Sequence, residues 1–177
     1  MTQSPVAKIN FQGEESMEKF GKLLCTLFEI LRYVLIFLGI FIAQSIPNST
    51  VDVRFAIVTL FFVLGISGLT GIEGAFLSRY SSTQSGYQDG GRYQKQSGLN
   101  NLSVAITAII AYIFHWGTQA ELVLMTVMMI FILLSGFNHY LSAVKDGNKS
   151  IKNLSRPIGS IVLLIVVLYY MVPVLVK

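Results

Sequence analysis

Long apolar runs alternate with short polar interruptions along this chain, and the runs predict its elements. Residues 23–46, 55–77, 99–116, 121–140 and 157–175 are predominantly apolar. Each run is close to the ~20 residues a helix needs to cross hydrocarbon. The pattern predicts an all-α integral membrane protein, a bundle of five transmembrane helices. Pro47 stops the first run, and Asn48, Ser49, Thr50 and Asp52 turn the chain. Only Gly117 to Ala120 separate the third run from the fourth, so those helices are expected to be antiparallel neighbours. Ser155 and Pro157 read as start signals for the fifth.

Ahead of the first run, residues 1–13 are polar and aperiodic and are expected to be loose, leaving 14–177 as one membrane domain. Met17, Phe20 and Leu24 share a face of a short amphipathic lead-in. The one long connection, Ser78 to Gly98, is rich in Ser, Gln, Tyr and Gly and reads as a solvated linker. It carries no GxxxxGK[ST] or GxGxxG phosphate cradle, and nothing points to nucleotide or nucleic-acid partners.

Composition agrees with the pattern. With 53% hydrophobic residues, 12% charged and a mean hydropathy of +0.64, the chain is too apolar for an ordinary soluble domain. The lone Cys25 excludes an intrachain disulfide and a cysteine-based metal cluster. No metal site or cofactor is expected, because the spacing of His, Asp and Glu matches no ligand motif such as HExxH.

Charge adds a direction. Lys and Arg number three before the first run, three in the second connection and four in the fourth, against one, none and one in the first connection, third connection and tail. Ten against two is the bias of cytoplasmic segments, which places the amino terminus in the cytoplasm and the carboxyl terminus outside.

Two features inside the apolar runs carry the candidate chemistry. Gly65, Gly68, Gly71 and Gly74 recur at every third position of the second run. On a helix they form an inclined row able to meet two neighbours in succession, which is expected to act as a close-packing seam. A hinge of the kind used by transporters is the alternative. The second feature is a set of polar residues: Glu29 and Arg32 in the first run, Glu73 in the second, Asn100 and Asn101 opening the third, Asn138 and His139 closing the fourth, and Arg156 before the fifth. Threaded with the amino terminus inside, all of them fall in the cytoplasmic third of the bundle. Ionisable groups at membrane depth are costly and mark candidate sites. Asn100, Ser103 and Thr107 lie on one helical stripe and are expected to face other helices.

YQKQSGLNNL at 93–102, SGFNH at 135–139 and RPIG at 156–159 resemble an uncharacterised family of small bacterial multi-pass membrane proteins, over about a third of the chain. The resemblance implies that these polar positions belong together and that the protein lies in a bacterial inner (cell) membrane. It brings no activity, and the first two runs lie outside it.

Two functions fit. In one, the polar residues form a cytoplasm-facing pocket for a small molecule or ion, with His139 exchanging protons near its ~6.5 reference pKa, Glu73 binding a cation and the asparagines orienting a ligand. In the other, glycines and polar groups serve assembly of a homo-oligomer or with a membrane partner. A lipid-modifying enzyme is a third reading with no motif behind it. In every case the surrounding partner is the lipid bilayer.

Overall fold

A computed structural model describes residues 5–88 and 91–177, with side chains from residue 15 onward. Among the described residues every regular element is helical. Helix α1 spans Pro5–Ser45, α2 Val51–Val63, α3 Leu69–Phe76, α4 Ser78–Gln84, α5 Gly91–Ile113, α6 Thr118–Lys145 and α7 Ile151–Leu175. Between α2 and α3 the helix widens into a π-turn over Leu64–Gly68 without a break, so Val51 to Phe76 is one continuous rod.

Local chemistry sets most boundaries. Pro47 disfavours helical geometry at the residue before it, and α1 ends at Ser45. Thr50 caps α2, its side chain accepting a hydrogen bond from the Val53 N–H at 3.3 Å. Three expectations are corrected. From residue 5 onward, the segment expected to be loose forms the first turns of α1, while residues 1–4 lie outside the described residues. The expected linker is largely helical: α4 and the first turns of α5 fill it, and Ser78, Ser82 and Ser85 are buried there. Ser82 Oγ donates to the Ser78 carbonyl, so its hydroxyl supports the helix rather than solvating a loop. The last helix begins at Ile151 instead of Pro157, because Ser150 caps it by accepting from the Asn153 N–H. Pro157 and Pro173 lie inside α7, a placement neighbouring helices make tolerable in membrane proteins.

Four helical rods are long and apolar enough to cross a membrane among the described residues: Glu15–Ser45, Val51–Phe76, Thr118–Lys145 and Ile151–Leu175. That is the composition of an integral membrane protein. Helix α5 is not one of them, since its first half, RYQKQSGLNN, is polar. Large apolar side chains such as Phe37, Phe41, Leu134, Ile165 and Tyr169 project outward from the long rods.

The rods run between two shared ends. At one end Gln84 Nε2 donates to the Lys22 carbonyl at 2.7 Å and Asn148 Nδ2 to the Ser85 carbonyl at 3.0 Å. At the other end Gln44 Nε2 donates to Tyr170 Oη at 2.9 Å, and Asp52 takes both Thr118 Oγ1 and Lys177 Nζ. The half of the bundle toward Asp52 is filled by Phe55, Val58, Phe62, Met125, Met128 and Val167. Met125 and Met128 are therefore packing residues. The face of α1 turned to the bundle carries Gly21, Cys25, Arg32, Ile36, Gly39 and Ala43, small except at its centre.

The glycine row divides between two partners. A Cβ at Gly65 would lie 2.9 Å from the Arg32 carbonyl oxygen of α1. At Gly71 and Gly74 the obstacle is α5, with the Leu102 nitrogen at 2.7 Å and the Gly98 Cα at 2.9 Å. Gly68 differs, because a Cβ there meets nothing nearer than the Ala105 Cβ at an ordinary 3.6 Å. Gly98, the facing glycine, is tighter than any of the row, 2.4 Å from the Ala75 nitrogen.

Candidate functional site

The site is built around a charged residue that α1 buries. Arg32 is only 6% exposed, and its two terminal nitrogens point to different helices. Nη1 donates to Glu29 Oε2 on the preceding turn at 2.6 Å, and Nη2 donates to Glu73 Oε2 on α3. Glu73, 3% exposed, takes a second hydrogen bond on Oε1 from the Ser81 hydroxyl of α4 at 3.0 Å. The i,i+3 pair that the first run displays is thus half of a bridge. Arg32 ties α1 to α3, and Ser81 ties α4 to the same carboxylate.

Helix α7 completes the cluster from the other side. Glu29 Oε2 also lies 3.3 Å from Arg156 Nη2 and 3.8 Å from Lys152 Nζ. Arg156 turns its other nitrogen to His139, Nη1 to Nε2 at 3.0 Å. A guanidinium only donates, so Nε2 is the acceptor and the imidazole proton sits on Nδ1. Nδ1 donates it to Asn153 Oδ1 at 2.6 Å. Asn153 is fully buried; its oxygen also accepts from the Tyr87 hydroxyl at 3.2 Å and its Nδ2 donates to the Asn148 carbonyl at 3.0 Å. Both ring nitrogens of His139 are therefore committed inside the protein.

Above this layer lies a cavity of about 310 Å³ between the two glycine-packed helices and the ends of α4, α6 and α7. Arg32, Glu73, His139 and Arg156 line it, together with hydroxyl and amide groups of Ser82, Ser85, Tyr87, Asn101 and Asn138. A smaller cavity of about 80 Å³ lies beside the same layer and is walled by Glu29, Ile66, Ile132 and Leu163. The two share Arg32, Thr70 and Arg156. Among the described residues, no three His, Cys, Asp or Glu side chains converge as a metal site would require.

The predicted site residues do not all meet. Glu29, Arg32, Glu73, His139 and Arg156 join in the one network, and Asn101 lines the cavity, accepting from Ser67 Oγ at 3.1 Å and donating to the Ser97 carbonyl at 3.1 Å. Asn138 stands at the rim, exposed. Asn100 points away: it is exposed together with Ser103 and Thr107, so the stripe expected to face other helices faces outward. On a helix consecutive residues diverge by about 100°, so only one of two adjacent asparagines can turn inward.

Sequence reasoning missed Asn153, Lys152, Ser81 and Tyr87, all of which lie in segments read as connections. Lys152 and Asn153 fall in the run that Ser150 caps, and a capping serine three residues ahead of Asn153 was the available signal.

The three stretches that carry the family resemblance converge here. SGFNH supplies His139, and its Gly136 lets α7 approach until Ser160 Oγ donates to the Ile132 carbonyl at 2.9 Å. RPIG supplies Arg156, and YQKQSGLNNL supplies Gly98 and Asn101. No curated protein and no solved structure matches the chain. One family's sequence model does, over residues 23–175, reaching the first two apolar runs that the three stretches leave out. A match over that length establishes that this chain belongs to the Family of unknown function DUF6790.

Proposed function

We propose that this protein is a membrane receptor or carrier for a small polar molecule, which it binds from the cytoplasm in the cavity above the Arg32–Glu73 layer. The cavity carries the reading: polar, near the lower end of the roughly 300–1,000 Å³ typical of small-molecule sites, and set in a bundle whose other half is filled by large apolar side chains. In this reading the chain crosses the membrane five times with its amino terminus inside. The excess of Lys and Arg on the amino-terminal, second and fourth polar segments supports that direction. The fifth crossing is α5, which leads from the end holding Ser85 and Asn148 to the end holding Asp52 and Thr118. Its polar first half is shielded by α3 through Gly71, Gly74 and Gly98. The membrane is a bacterial inner membrane in this reading, as the family resemblance implies.

Asn138→Trp tests the binding role, because it fills the mouth from an exposed rim position. In wild-type protein in detergent, a panel of small acids, bases and neutral polyols is expected to include a class that raises the melting temperature. The Asn138→Trp protein should melt at the wild-type temperature without ligand and lose that response. A panel without effect, or an equal response in the variant, rules the cavity out as a binding site. For topology, a reporter at Gly86 should lie in the cytoplasm and one after Lys177 outside; both on one side would remove the fifth crossing.

Assembly is the second reading, and it rests on the Arg32 bridge, which ties three helices together. It predicts that variants breaking the bridge change oligomeric state in step with stability, with no solute response to lose.

A further inference from the structure

We infer that the cavity takes a small monocarboxylate with a hydroxylated or amidated body, held by positive charge that the part-buried cluster leaves unneutralised; this rests on the cavity being a binding site. Glu29, Arg32, Glu73, Lys152 and Arg156 form one connected set of ion pairs. Among the described residues two carboxylates stand against three cations. The imbalance is centred on Glu29 Oε2, which faces Arg32 at 2.6 Å, Arg156 at 3.3 Å and Lys152 at 3.8 Å beside the smaller cavity, and Arg32 and Arg156 carry it to the larger one, which both line.

A second observation concerns a donor in the same layer. Arg32 Nε is buried and has no hydrogen-bond partner among the described residues, although Arg32 lines both cavities. An uncompensated charge is costly where water is scarce, and a bound anion offsets it. The excess of one charge calls for a monoanion, since a dianion would reverse the imbalance. Two guanidinium groups in the lining favour a planar oxyanion. The walls define the rest of the ligand: Ser82, Ser85, Tyr87 and Asn138 suit hydroxyl or amide groups. His139 adds no competing charge or free donor, because both its nitrogens are already bonded.

The experiment uses full-length protein in detergent at fixed ionic strength, with sodium gluconate and lactate as monocarboxylates. Succinate, inorganic phosphate, choline and sorbitol serve as dianion, oxyanion, cation and neutral probes, and chloride as the matched salt. Gluconate or lactate should raise the melting temperature above the chloride control, with sorbitol and choline inert. Lys152→Gln removes the excess charge without touching the cavity wall and should weaken carboxylate binding about tenfold, as loss of one nearby partly screened charge implies. Glu29→Gln enlarges the excess and should tighten it several-fold; if that variant does not fold, Lys152→Gln carries the test alone. Stabilisation by sorbitol or choline but not by carboxylates would overturn the anion assignment and keep the binding site. Tighter binding of succinate or phosphate would overturn the monoanion class. Unchanged affinity in Lys152→Gln would overturn the role of the charge imbalance, and silence from every probe would overturn the binding site itself.

Discussion

The two halves of the bundle are held together by different means. Toward Asp52, α2, α6 and α7 meet through Phe55, Phe62, Met125, Met128 and Val167, large side chains that fill the space between the rods. Toward the Arg32 layer, backbones touch directly at Gly71, Gly74 and Gly98, and the remaining contacts are ion pairs and hydrogen bonds around open space. In water the apolar half would dominate stability. In a membrane it gains little from leaving the solvent, because lipid is as apolar as the core, and only packing remains. The polar half has no such substitute: a carboxylate that loses its guanidinium has nowhere to turn. Per residue, the polar half is expected to matter more.

The largest expected effect tests that ordering directly. Arg32→Met leaves Glu73 buried and unpaired and should cost about 3–5 kcal/mol in detergent unfolding. The double variant Arg32→Met, Glu73→Met should recover much of the loss, since two apolar side chains of similar size suit the site. A double variant no more stable than the single one would show that the pair is not the unit that matters.

In the apolar half, Phe62→Ala should cost less, about 2 kcal/mol, because the cavity penalty applies while the transfer from water largely does not. It should leave any solute response intact. A loss exceeding that of Arg32→Met would reverse the comparison.

The glycine row sharpens it further. Gly71→Ala drives a Cβ against backbone of α5 and should cost about 1–3 kcal/mol, whereas Gly68→Ala should stay within about 0.5 kcal/mol. Equal effects would mean that the two helices part easily. Smallest is the asparagine contrast: Asn101→Ala strands the Ser67 hydroxyl and should cost about 1 kcal/mol, while Asn100→Ala should be silent. Melting temperatures measured in one detergent suffice for both comparisons.

The sequence by itself determined the class and the raw materials. Apolar runs of membrane length, the glycine period from 65 to 74 and charged residues inside those runs are local properties, readable because a bilayer penalises each exception wherever it stands. The presence of helices between the turns was legible for the same reason. Their ends were less so: α4 and the start of α5 are polar helices whose serines and glutamine bond within the fold, and polarity alone resembles a linker. Tertiary structure alone decided which neighbours the polar groups found. Adjacent residues on a helix point about 100° apart, so Asn100 and Asn101 look equivalent as letters and opposite in space. Glu73 and Arg32 are 41 residues apart, and no local pattern encodes that one neutralises the other. The cation excess beside Glu29 belongs to α7, which brings Lys152 and Arg156 to α1 only after the chain has passed through the other helices. Charge balance in such a cluster is a sum over neighbours, and the fold chooses the neighbours.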